Sequence, residues 1–147
     1  MLICNQDNIV PSWAQLGGRL QAVFDELTSD ELALAAADAA TAGLASARLT
    51  AAKRLVAGPA TGVGRPAAVV DLLMARDESD PRWERIGPFE QRWALLVVRI
   101  VAPAMDPAPA IADARRRGAT WAAIASVLGG VSAQAAQQRF AARIAGD

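Results

Sequence analysis

Residues 88–105, PFEQRWALLVVRIVAPAM, restrict the fold more than any other stretch of the chain. Read as a helix opened by Pro88, they place Phe89, Trp93, Leu96, Val97 and Ile100 on one face and fill most of the other with Leu95, Val98 and Val101. A helix apolar nearly all round must be covered on both sides, so it is expected to be the central strut of a helical core or the contact of a homodimer. Arg92 and Arg99 interrupt it, and their long stems let the charged heads reach water past an apolar body.

The rest of the chain supplies the helices such a strut needs. Tyrosine is absent, apolar and polar residues seldom alternate, and alanine is abundant, all of which argue against strands. Ser12, after Pro11, can cap a first helix over about 12–27, in which Trp13, Leu16, Leu20, Val23, Phe24 and Leu27 recur every three or four residues. Thr28, Ser29 and Asp30 offer caps for a long alanine-rich helix over about 29–56, ended by Gly58-Pro59. Its small side chains permit close approach of a neighbour. Pro66 suits the first turn of a helix to Ala75, and Asp80-Pro81 marks another start. The expected fold class is all-α, and 147 residues with 53% apolar content suffice for one core without covalent staples.

Several functional classes find no support in the residues. A single cysteine, Cys4, closes no intramolecular disulfide, and with no histidine there is nothing resembling a zinc cluster, so a reducing, cytoplasmic setting is expected. The N-terminus lacks the basic and apolar regions of an export signal, and no apolar run spans a bilayer. In GPATGVGRPAAVVDLL, Val63 and Gly64-Arg65 stand where a phosphate loop needs Gly-Lys, and the loose dinucleotide pattern Gly62–Ala67 follows a helix and contains Pro66. A connector is the expected reading. Asp77, Glu78, Asp80 and Glu84 crowd together without the ordered spacing of a calcium loop, which points to a hydrated turn and no metal. With no histidine or tyrosine and no thiol–base pair, neither an enzyme nor a cofactor is expected.

A formal net charge of zero hides a gradient. Residues 1–45 carry Arg19 against Asp7, Asp25, Glu26, Asp30, Glu31 and Asp38, whereas residues 115–147 carry Arg115, Arg116, Arg117, Arg139 and Arg143 against Asp147. Phosphates respond to local field more than to total charge, so a basic end on a neutral chain is compatible with a nucleic-acid partner.

That end has its own punctuation. The segment APAMDPAPA, residues 102–110, separates a helical body over 1–105, expected to oligomerise, from a unit over 106–147. Asp106-Pro107 can begin a helix ending at Arg115-Arg116-Arg117-Gly118, Thr120 can cap a second over Trp121–Leu128, and Ser132 can cap a third after Gly129-Gly130. Three successive helices with a glycine turn between the last two satisfy the requirements of a trihelical helix-turn-helix unit.

The segment also resembles the tails of small helix-turn-helix DNA-binding proteins of high-G+C bacteria. Arg115, Gly118, Ala119, Thr120, Trp121, Ala122, Ile124, Leu128, Gly129, Val131, Ser132, Gln134, Ala135, Ala136, Gln138, Arg139 and Phe140 carry the resemblance, which covers about a fifth of the chain. The turn is one residue longer than in that pattern, because Gly129-Gly130 replaces a single glycine, and Ala133 stands where arginine often follows the serine.

At 100° per residue, Ala136 and Phe140 share one side of the last helix, while Gln134 and Gln138 lie opposite with Gln137 beside them. Glutamine both donates and accepts, which matches the N6 and N7 edge of adenine in the major groove. Base-reading residues are thus expected at Gln134, Gln137 and Gln138, and backbone contacts at Arg115, Arg116, Arg117, Thr120, Ser132 and Arg139. Trp121, Ile124, Leu128, Val131 and Phe140 are expected in the unit's core, and Arg143 falls on the packed side, so its helix frays or its head escapes. The expected function is sequence-specific recognition of double-stranded DNA by a homodimer, as a transcriptional regulator. The alternative is a non-enzymatic module whose trihelical tail docks on protein, such as a transcription-machinery or phage-assembly partner.

Overall fold

The computed structural model describes residues 26–146, together with Gly17 and Phe24, both helical. The helix expected over 12–27 lies largely outside these residues. Among those described, all regular structure is helical, and no helix is long and apolar enough to cross a membrane.

The chain divides into two compact units, residues 1–39 and 40–147. Helix α1, Ser29–Ala57, begins in the first and ends in the second. Its start is fixed by a reciprocal capping box. The Glu31 amide donates to Thr28 Oγ1 at 3.2 Å and the Thr28 amide donates to the Glu31 carboxylate at 2.8 Å, which holds the Glu31 carboxyl below its ordinary range. In the first unit the large apolar side chains Phe24, Leu27, Leu32 and Leu34 are exposed.

In the second unit α1 buries a stripe made mostly of alanine, Ala47, Ala51, Ala52 and Leu55. Small residues allow neighbouring groups to come close: a Cβ on Gly43 would lie 2.5 Å from Cε of Met105. Helix α2, Pro66–Ala75, starts on its proline as expected and stops at Arg76, whose left-handed backbone turns its side chain into a fork on Glu90, with both bonds at 2.9 Å. The glycine-containing stretch before Pro66 joins two helices, the context of a connector. A short helix α3, Trp83–Ile86, and a 3-10 turn, Gly87–Phe89, lead into α4, Glu90–Val101.

Helix α4 organises the core. Trp93, Ala94, Val97, Val98 and Val101 are buried, joined by Leu72 and Leu73 of α2, Ile86, Ile111, Ile124 and Phe140. The Trp93 indole N–H donates to the Arg48 carbonyl at 3.2 Å, tying α4 to α1. Coverage is less complete than the sequence suggests: Leu95, Leu96 and Ile100 are half-buried, and Arg92 and Arg99 reach water. Leu95 and Leu96 line, with Phe89 and Leu55, a groove of about 370 Å³ rimmed by Arg54, Arg92 and Arg99.

After a turn over 102–107, α5 (Ala108–Arg116) packs on α4, α6 (Trp121–Leu128) packs on α4, and α7 (Ala133–Ile144) packs on α5 and α6. Two of the crowded carboxylates near residue 80 are held by their own turn. Asp77 accepts from the Ser79 amide and hydroxyl, and Asp80 accepts a fork from Arg82 together with the Arg82 amide, which pushes its carboxyl down to about 2.

Candidate nucleic-acid interface

The starts of the last three helices follow from the residues there, Asp106 bonding the first amide of α5 from just before its Pro107 cap position and Thr120 and Ser132 capping α6 and α7. The Asp106 carboxylate accepts from the Ala108 amide at 3.1 Å, Thr120 Oγ1 accepts from the Ala123 amide at 3.1 Å, and Ser132 Oγ accepts from the Ala135 amide at 3.0 Å. Two glycines with positive φ, Gly129 at 74° and Gly130 at 69°, make the turn between α6 and α7. Side chains rarely adopt that backbone, so the pair of glycines is a local requirement of this longer turn.

Helix α7 presents the two sides that its periodicity implies. Ala136 and Phe140 are each 1% exposed, whereas Gln134, Gln137 and Gln138 are all exposed to solvent. Arg139 and Arg143 flank the anchor from outside, their guanidinium carbons 5.1 and 5.8 Å from the centroid of the Phe140 ring. Arg143 resolves the conflict on its helical wheel by packing its stem and pairing its head with Asp106. The Ala108 amide first, and Arg143 after it, lower the Asp106 carboxyl.

The residues expected to meet phosphates separate into groups. Thr120 and Ser132 sit exposed at the first turns of α6 and α7; each oxygen accepts its capping bond while the O–H hydrogen stays available to an acceptor. Arg139 is exposed and pairs with no carboxylate among the described residues. Arg115 donates to the Ala119 carbonyl at 2.6 Å and lies over Trp121, 5.0 Å from the ring centroid. The side chain of Arg116 is 72% exposed and makes one 3.3 Å contact with Asp113.

Arg117 departs from the expectation of a phosphate contact. Its side chain is 2% exposed, and it donates to Asp113 at 2.9 Å, to Glu90 at 3.1 Å and to the Leu73 carbonyl at 2.8 Å. The guanidinium also lies 5.1 Å from the centroid of Trp93. A buried cation with two carboxylates and a helix-terminal carbonyl is internally neutralised and faces no solvent. It pins the end of α5 to α2 and α4. Asp113, four residues earlier on the same helix, was the signal in the sequence. The core assignment also needs one correction: Val131 is exposed in the turn, because the second glycine carries it off the packed side, while Ile124 is buried and Trp121 and Leu128 are half-buried against the core.

Sequence reasoning passed over Arg48, which α1 places half-buried beside α5. Burial lowers the proton affinity of its guanidinium. No periodicity marks it, since its neighbours come from the distant C-terminal helices.

No protein-family model matches this chain, and no curated protein or solved structure matches it with significance.

Proposed function

We propose that this protein recognises double-stranded DNA in a sequence-specific manner through α7, as a homodimeric transcriptional regulator. The observation that carries the reading is the exposure of Gln134, Gln137 and Gln138 on the side of α7 opposite its buried anchor, Ala136 and Phe140. Three amides on the first half of an anchored helix form a donor and acceptor array suited to base edges in a major groove. Arg115, Arg116 and Arg139, with the hydroxyls of Thr120 and Ser132, supply exposed groups for phosphates around that helix. Residues 106–147 act in this reading as a helix-turn-helix unit, and a second copy supplies the second half-site, since one such helix spans only a few base pairs.

Selection of bound fragments from a random duplex pool tests the proposal. A defined sequence preference is expected, with binding weakened by added salt, and the triple variant Gln134→Ala/Gln137→Ala/Gln138→Ala should flatten the preference while melting like the parent chain. If the triple variant selected the same sequence, the assignment of the reading face would be wrong. A strictly monomeric mass in sedimentation at micromolar concentration would remove the homodimer. A protein-docking module is the competing reading, favoured by the internal neutralisation of Arg117, which takes one positive charge out of the outer field. Such a module would shift duplex DNA no more than a control protein does.

A further inference from the structure

A cleft of about 350 Å³ opens in the second unit between α1, α5 and the end of α7, lined by Arg48, Pro109, Ala112, Arg115, Arg116 and Ile144. Three arginines, Arg48, Arg115 and Arg116, therefore line one concavity. Arg48 is half-buried, with no carboxylate among the described residues within ion-pair distance; burial opposes its charge, Asp113 favours it from a distance, and Arg117 and Arg116 add repulsion. The nearby carboxylate, Asp113, is already committed, one oxygen to Arg116 at 3.3 Å and the other to Arg117 at 2.9 Å. Arg115 uses one nitrogen on the Ala119 carbonyl at 2.6 Å and keeps its remaining donors.

Guanidinium groups do not shed their protons at ordinary pH, so the positive charge of this cleft is permanent, and among the described residues only Asp113, which Arg117 shares, offsets part of it. An external anion satisfies it. We propose that the cleft binds a phosphate group. Forked guanidinium donors match the oxygens of phosphate, and Pro109, Ala112 and Ile144 form an apolar wall for the organic part of a phosphoester. The volume falls at the small end of ligand pockets, enough for one phosphorylated fragment. The phosphate comes from a free phosphoester or from a duplex backbone, and the site does not depend on α7 as a reading helix.

Titrating the full chain with inorganic pyrophosphate, against sodium chloride at matched ionic strength, tests the site by thermal midpoint and tryptophan emission, since Arg115 covers Trp121. A saturable rise of the midpoint and a change of emission are expected with pyrophosphate alone. Arg48→Gln should weaken the response by about tenfold or more, as expected for loss of a charge-assisted contact. Arg116→Gln, at a side chain 72% exposed, gives the same reading should the first variant fold poorly, and Arg54→Gln, outside the cleft, should change nothing. A duplex source is indicated if Arg48→Gln lowers the salt slope of DNA binding by about one. An unchanged slope with the pyrophosphate response lost assigns a free phosphoester. Equal responses of the parent chain to chloride and pyrophosphate would overturn the proposal, whereas a pyrophosphate response without any duplex shift would refute only the DNA-reading role of α7.

Discussion

Replacing Arg117 with alanine should destabilise the second unit far more than any change at its two arginine neighbours. The substitution removes a cation that faces Asp113 and Glu90, carboxylates whose side chains are only 10% and 15% exposed, and it strands the Leu73 carbonyl at the end of α2. Breaking a buried pair from one side costs about 3–5 kcal/mol, mostly because the partner charge is left behind. Here Arg116 and Arg76 still contact Asp113 and Glu90, which places the loss near the lower end, about 3 kcal/mol. In a unit of this size that corresponds to a fall in melting temperature on the order of 12 °C or more. Arg116→Ala, at an exposed side chain with one 3.3 Å contact, should cost less than about 1 kcal/mol. Arg117→Lys should recover part of the loss, since an ammonium keeps the charge without the fork or the stack on Trp93. Urea unfolding followed by tryptophan emission compares the variants directly. Coincident midpoints for Arg117→Ala and Arg116→Ala would refute the internal role of Arg117.

Phe140→Ala removes the 1% exposed anchor of α7 and should lower stability by about 3–5 kcal/mol, read as a thermal shift. Thr120→Ala and Ser132→Ala each delete one capping bond and should cost about 1 kcal/mol, with Thr120→Ser close to the parent in the same urea titration. Acid should act through Glu31, Asp80 and Asp106, whose carboxyls are lowered in the folded chain, Asp80 to about 2. Depressed values mean that their stabilisation is complete above the ordinary carboxyl range and is lost as the pH falls through it toward the folded value. Asp80→Asn should therefore flatten the dependence of the urea midpoint on pH between about 4 and 2, and parallel curves for variant and parent would count against the Arg82 fork as its cause.

The helices were legible because their boundaries depend on local chemistry. Pro66 at the first turn of α2, Thr120 and Ser132 at the caps of α6 and α7, and Gly129 after α6 each act within a few residues of themselves, so sequence alone placed them. The same holds for the exposed amides of α7, since one buried phenylalanine and one buried alanine at a spacing of four orient the whole helix. Coverage of α4 was overestimated for a different reason. Periodicity tells which side chains are apolar, but whether Leu95 and Leu96 are covered depends on how far α1 and the turn after it extend across them, and they line an open groove. Arg48 escaped notice on the same ground, being remote in sequence from the α5 and α7 residues around it.

The triplet Arg115-Arg116-Arg117 shows most clearly why charge composition alone could not define the basic surface. Successive residues at the end of a helix step by about 100°, so three identical side chains leave in three directions. Arg115 turns onto Trp121, Arg116 goes to solvent, and Arg117 enters the core between Asp113 and Glu90. Among the five arginines of residues 115–146, Arg117 is neutralised internally, Arg143 is paired with Asp106 and Arg116 shares Asp113, leaving Arg115 and Arg139 with no carboxylate partner among the described residues. The field offered to an outside polyanion is correspondingly smaller than the residue count. If α7 does enter a groove, each protomer should release counterions for roughly two or three phosphates through these arginines rather than five, and the affinity must then rest more on the amides and on pairing of two copies. The acidic partners Asp113, Glu90 and Asp106 thus set the balance between holding α5 and α7 in place and presenting charge to a ligand.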